Sequence, residues 1–170
     1  MKSVLISIQP KWCELIASRK KTVEVRKTRP KLETPFKVYI YCTQGREQKA
    51  LFKALGYKHI PFSSKVVIGE FVCDRIDEYT NYSLDEQSGH IKRREDLLRS
   101  ACMTLKDWRD YIGSYKSDFG YAWHISNLVI YDNPKELGEF SKPYGTIRKA
   151  FESQFITRPP QSWCYVEELR

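Results

Sequence analysis

The sequence contains no apolar run near the ~18 residues that a membrane-spanning helix requires. The apolar residues after Met1 are interrupted by Ser3 and Ser7 and are too few for a signal peptide, so a cytoplasmic protein with no membrane partner is expected. Cysteine and histidine are sparse and scattered. Cys13, Cys42, Cys73, Cys102 and Cys164 form no Cys-x-x-Cys pair, and only His59, His90 and His124 accompany them. That spacing implies neither a structural metal site nor a disulfide frame, and it fits separate buried thiols in a reducing compartment. A glycine-rich phosphate loop, a Ser-His-Asp order, an internal repeat and a low-complexity linker are all missing, and no cofactor is implied. Acidic residues are scarce in one part of the chain. Residues 1–65 hold 15 Lys and Arg against 4 Asp and Glu, a net charge of +11, whereas residues 66–170 hold 14 against 17, a net charge of −3. A basic N-terminal third attracts polyanions, nucleic acid foremost, or simply solvates the surface.

What is present is one domain's worth of core. A chain of 170 residues with 14% aromatics, including eleven tyrosines and four tryptophans, can fold without disulfides or metal, and a single domain over residues 1–170 is expected. The organising stretch is residues 18–27. Before it, Trp12, Leu15, Ile16 and Arg19 recur at helical spacing; after Lys21, Val23 and Val25 alternate with Thr22, Glu24 and Arg26 as in a strand. Lys21 therefore sits at a helix-to-strand corner, and Glu24 and Arg26 share one face of the strand and can pair.

The remaining pattern alternates strands and short helices. Residues 3–8 form a first strand, Pro10 opens a helix to about Arg19, residues 22–27 a second strand and Phe36 to Cys42 a third. A basic amphipathic helix lies between Gly45 and Gly56. Residues 65–79 read as a central strand covered on both faces, in which Glu70 shares the parity of Val66, Ile68 and Val72. Two placements of Glu70 are open: facing a pocket near Lys21 or Arg26, or turned to solvent by a bulge at Gly69. Helical pieces follow near Arg94 to Arg99 and from Leu105 to Ile112, the latter with Thr104 and Asp107 spaced as a capping box. Phe119 to Asp132 is a long aromatic strand with Trp123 on one face and His124 and Ser126 on the other. Asn133-Pro134 reads as a helix start, residues 138–158 as a loop and short helix, and Trp163 to Glu167 as the closing strand.

Lys21, Glu24 and Arg26 fall on the charged positions of Gly-x-Lys-x-x-Glu-x-Arg, and in this respect the chain resembles the ASCH domains of the PUA-like superfamily; Arg19 stands where the glycine is usual. The Leu5 to Trp12 opening, Gly69-Glu70-Phe71, Tyr121 to Ile125 and Pro159 to Val166 are similar too. The resemblance implies an α+β fold built on a PUA-like mixed β-barrel with short helices at its ends. It also implies single-stranded RNA or a modified nucleoside as partner, bound in a basic cleft at Lys21.

The candidate binding residues are Lys21, Arg26, Glu70, Tyr41, Trp123, His124 and Ser126, with Lys21 and Glu24 as candidate catalytic groups and no metal. Bases stack on aromatic faces while cations follow phosphates; residues such as Tyr41 and Trp123 are more often core than groove. The alternative is a hydrolase. The chain is similar to a small amidohydrolase acting on N4-acetylcytidine, whose motif Arg-Lys-Thr-Ile-Thr-Ile-Arg is matched at Lys21. Glu24 replaces its second threonine, and Met103-Thr104-Leu105 places its downstream glutamate near Ala101. A ribonuclease using a Lys/Tyr/Ser or Lys/His set, with His124 and Ser126, and a protein-interaction module are the other readings.

Overall fold

Alternation of Val4, Ile6 and Ile8 with Leu5 and Ser7 produces the first strand, β1 (Lys2–Ile8), buried along nearly all its length. The computed structural model describes residues 1–58, 60, 64–84, 91–113, 115, 118–143 and 154–169. The order of the remaining elements is α1 (Pro10–Ala17), β2 (Val23–Arg26), β3 (Phe36–Cys42), α2 (Gln48–Ala54), β4 (Val66–Thr80), α3 (Ile91–Ser100), α4 (Leu105–Ile112), β5 (Phe119–Glu136), a 3-10 turn (Leu137–Glu139) and β6 (Trp163–Glu167). Among the described residues the predicted elements are recovered with one exception, and the short helix expected within 138–158 falls largely outside them. Asn133-Pro134 opens no helix; β5 runs through it to Glu136. The pairing jumps from Gly69–Ile130 to Val67–Lys135, so Pro134 lies in an irregular stretch where its missing N–H costs no ladder bond. His59, His90, residues 61–63 and the basic-aromatic group Tyr144, Arg148, Lys149 and Phe151 lie outside the described residues.

The strands form one mixed six-stranded sheet in the order β2-β5-β4-β3-β1-β6. Only β1 and β3 run parallel; the other neighbours are antiparallel. The expected barrel is corrected to an open sheet with β2 and β6 at its edges. Where closure would require a backbone ladder, side chains reach across instead: Trp163 Nε1 donates to Thr28 Oγ1 (3.0 Å), and Tyr165 OH accepts from the Lys31 N–H (2.7 Å). The segment after the four-residue β2 carries Pro30 and Pro35 and adopts no strand, so it offers no row of donors for β6.

Apolar side chains collect in three groups. Val4, Ile6, Ile8, Val38, Ile40 and Trp123 on the inner face meet Cys13 and Ile16 of α1 and Leu51 and Phe52 of α2. Val23, Val25 and Ala122 meet Leu97, Trp108 and Ile112 of α3 and α4. Leu5, Tyr39, Tyr41 and Val67 pack with Leu137 and Phe140 on the outer face. The fully buried Trp108 is held by its indole N–H donating to Asn81 Oδ1 (2.9 Å), while Asn81 Nδ2 donates to Gly113 O and Tyr115 O. This fixes α4 beside β2. The predicted capping box is present, with the Asp107 N–H donating to Thr104 Oγ1 (3.1 Å) and the Thr104 N–H to Asp107 Oδ2 (2.9 Å).

Two helix ends define the corner at Lys21. At the end of α1 the Arg19 N–H donates to Ile16 O (2.8 Å) and the Lys20 N–H to Leu15 O (2.9 Å), with Arg19 in the left-handed region at φ 60°. This is a Schellman closure, whose left-handed position favours glycine. The end of α3 repeats it: the Cys102 N–H donates to Arg99 O (3.1 Å), the Met103 N–H to Leu98 O (2.9 Å), and Cys102 has φ 52°.

Two predictions follow from the backbone. Arg19→Gly relieves a left-handed L-residue and is expected to raise stability by about 1 kcal/mol, read as a higher urea midpoint at unchanged slope. At Gly69 an added Cβ would stand 2.3 Å from Val129 O and 3.1 Å from Ile130 Cα, both backbone atoms of the neighbouring strand. Gly69→Ala is therefore expected to lower stability by about 1–3 kcal/mol in the same measurement.

Candidate functional site

Lys21, Glu24 and Arg26 come together as a buried chain of charges, exposed by 3%, 6% and 7% respectively. Lys21 Nζ donates to Ala101 O at 2.7 Å, lies 3.4 Å from Glu24 Oε2 and sits 4.9 Å from the centre of the Trp12 ring. Ala101 follows α3 directly, so the ammonium rests on the carbonyl end of a helix, where the dipole favours a cation. Glu24 Oε1 pairs with Arg26 Nη2 at 3.1 Å. The Arg26 guanidinium then crosses to the other edge of the sheet, Nη2 donating to Ser7 O (2.7 Å) and Nη1 to Ser162 Oγ (3.4 Å).

These residues floor a cleft of about 560 Å³ at the seam between β2 and the β1–β6 edge. Trp12 from α1 stands on one side and Tyr111 from α4 on the other. Among the described residues Glu24 Oε2 and Arg26 Nε are buried without a hydrogen bond, Oε2 having only the Lys21 ion pair. Burial of its hydroxyl end pushes the Tyr111 phenol above its ordinary value, with Arg26 pulling down and Glu24 pushing up. Tyr111 is therefore a neutral donor at physiological pH. The expected basic cleft needs correction at the level of its lining: Lys21 and Arg26 are set against Glu24, Asp107 and Asp110. The acidic residues Asp107 and Asp110 of α4 line this corner, and Lys11 and Lys27 lie over the Trp12 and Tyr111 rings.

The other candidates lie apart from this cleft. Glu70 is not near Lys21 or Arg26. The register shift between Val67 and Gly69 reverses the parity of β4, so that Phe71 and Cys73 continue the inner face of Val66 and Ile68, and Glu70 faces outward opposite Tyr39. Glu70 is not left to solvent either: Oε1 pairs with Lys37 Nζ at 3.1 Å and Oε2 accepts from the Tyr131 hydroxyl. Burial and this carboxylate together push the Tyr131 phenol far up. Tyr41 is buried in the outer cluster with Leu5, Val67 and Phe140. Trp123 pairs with Glu24 across the strands, but its ring is fully buried against Phe36 and Trp163 and offers no face to a base. His124 lies on the opposite face of the sheet, with Nε2 2.9 Å from Asp77 Oδ2, and Ser126 Oγ donates to Val72 O (2.9 Å). Neither meets Lys21.

Sequence reasoning missed Trp12, Tyr111, Asp107, Asp110 and Ser162. Trp12 and Tyr111 sit on helical stripes otherwise given to core. The usable signal was on α4, where Trp108 and Ile112 are buried while Asp107 and Tyr111, four residues apart, share a neighbouring, more polar face. Among the described residues no three His, Cys, Asp or Glu side chains are grouped to hold a metal ion, and no helix is long and apolar enough to cross a membrane.

The chain is similar in fold to a crystal structure of an ASCH protein from Zymomonas mobilis, with a TM-score of 0.60 and 23% identity over 98% of this chain and 88% of that one. A tyrosine-to-phenylalanine variant of that protein gives 0.60 and 22% over 99% and 92%. A serine-to-alanine variant gives 0.59 and 22% over 98% and 89%. Identities this low carry the fold and not the chemistry. No curated protein matches significantly. The family model of the ASCH domain matches residues 6–153, and with the Lys21, Glu24 and Arg26 positions occupied the chain belongs to the ASCH domain family.

Proposed function

We propose that the cleft at Lys21 binds a single nucleobase, presented by single-stranded RNA or as a modified nucleoside. The observation that supports this reading is a pair of buried polar atoms that make no hydrogen bond among the described residues, Glu24 Oε2, which has only the Lys21 ammonium at 3.4 Å, and Arg26 Nε, in a cleft lined by Trp12 and Tyr111. Buried polar atoms without partners are rare in folded chains and are commonly satisfied by a ligand or water. An acceptor beside a donor complements a base edge that carries an amino group next to a ring acceptor, as in cytosine or adenine. A volume of 560 Å³ lies within the roughly 300–1,000 Å³ range of small-molecule sites. The mixed lining favours a base over a run of phosphates. ASCH domains are PUA-like and are linked to RNA binding or hydrolysis, in keeping with this reading.

Binding is favoured over amidohydrolase chemistry by what replaces the amidohydrolase's residues. The Met103-Thr104-Leu105 resemblance puts that enzyme's glutamate near Ala101, and here Lys21 Nζ donates to the Ala101 backbone carbonyl. Glu24, in the threonine's place, is held between two cations.

Two outcomes are expected. Glu24→Gln makes one acceptor a donor and removes the counter-charge of two buried cations, so with the fold verified by circular dichroism it should weaken binding of mixed single-stranded RNA or of its modified nucleoside by about tenfold or more. The check is a gel shift at fixed salt together with nucleoside titration and mass spectrometry of the products. Unchanged affinity would remove the cleft from the binding site, and product formed only by the unaltered chain would establish a hydrolase. Lys21→Met should cost about 3–5 kcal/mol of folding stability in urea denaturation, because it leaves a buried carboxylate with half its counter-charge. Loss of RNA binding in Lys21→Ala therefore reports on the fold as well as on the ligand.

A further inference from the structure

A second concavity, of about 660 Å³, lies on the face of β2 that carries Val23, away from Glu24 and the cleft. Its wall holds Arg75 and Asp77 of β4, His124 of β5, and Lys92 and Arg93 of α3 beside Tyr79. Asp77 acts as the anchor: its Oδ2 takes Arg75 Nε at 3.2 Å and His124 Nε2 at 2.9 Å. Arg75 Nη2 lies 3.1 Å from that nitrogen and 3.4 Å from Nδ1, so guanidinium and ring lie against each other. The Arg75 side chain is 63% exposed.

The cations opposite come from α3. Arg93 stacks over the Tyr79 ring at 4.7 Å, and among the described residues no carboxylate pairs with Arg93 or Lys92. The other acidic residue of the wall, Asp96, lies 3.7 Å from Arg99. Lys92 and Arg93 also occupy the first turn of α3, a turn without an acidic residue, where the helix dipole opposes a positive charge. An anion between the two walls would answer both cations and the dipole at once.

We propose that Arg75, Lys92, Arg93 and His124 form a phosphate-binding site, taking the phosphate of a nucleotide or of a nucleic-acid strand. Asp77 positions Arg75 and His124, and Lys92 and Arg93 supply the facing charge. This inference stands apart from the reading of the Lys21 cleft, which lies on the other side of β2 and has a mixed lining.

The test follows the His124 imidazole resonance, assigned with His124→Gln, while the full chain is titrated with inorganic phosphate, with uridine monophosphate and with a short oligouridine. Sodium chloride at matched ionic strength is the reference. A saturable shift is expected, and in the Lys92→Ala/Arg93→Ala double variant, whose two side chains are exposed and whose fold is checked by circular dichroism, the half-saturating concentration should rise about tenfold. A response to phosphate and the mononucleotide identifies a free nucleotide as the source; a response to oligouridine alone identifies a strand. With the strand, the salt dependence of log K should fall by about 1.4 in the double variant, for two phosphate contacts at about 0.7 each. No saturable shift with any probe, or the same shift in the double variant, overturns the proposal. Glu24→Gln should leave the His124 response intact, so failure of the cleft reading and failure of this one are separable.

Discussion

The buried ammonium of Lys21 is the constraint that the rest of the site depends on. A lysine can stay charged out of water only if its protons are received, and here the receivers come from three elements: the carbonyl after α3, the carboxylate on β2 and the face of an α1 tryptophan. Each of those elements is thereby told where to stop. Both helices end in left-handed closures at this point, and the four-residue strand begins two residues after the lysine. Glu24 in turn holds Arg26, which reaches the opposite edge of the sheet. A single charge thus organises two helix ends, an edge strand and the bridge between edges.

The fold was largely legible in the sequence because its signals are local. The change of period at Lys21, the aromatic and β-branched run from Phe36 to Cys42, the Thr104–Asp107 cap and the final strand each declare themselves within a few residues, and each is present in the structure. For Glu70 the sequence left two placements open, and the structure takes the bulge at Gly69 while pairing the carboxylate with Lys37 and Tyr131 rather than leaving it to solvent. A strand keeps its parity only until a bulge, and the shift beside Gly69 exchanges the faces of everything beyond it. The same limit explains the barrel. Whether two edges meet depends on the irregular segment between β2 and β3, not on the strands.

The site was legible in its floor and not in its walls. Lys21, Glu24 and Arg26 are neighbours in sequence, so spacing alone joined them, whereas the Lys21–Ala101 contact spans 80 residues and is read only from the structure. Trp12, Tyr111 and Ser162 arrive from elements whose docking is decided by packing, such as the Asn81–Trp108 hydrogen bond that seats α4. His124, the residue most often suspected of chemistry in a basic protein, belongs to another surface because Ala122 and His124 share a face of β5 that Trp123 does not.

The open seam also bears on mechanics. Where a closed barrel would carry continuous backbone hydrogen bonds around its girth, this sheet relies on a few side-chain struts, chiefly Arg26 to Ser7 and Ser162, Trp163 to Thr28 and Tyr165 to the Lys31 amide. Side-chain struts yield more readily than a ladder, so the gap between the edges is the most compliant line in the sheet. A molecule seated on Glu24 and Arg26 adds a rung there, and filling the cleft would tighten the whole hoop rather than one pocket wall.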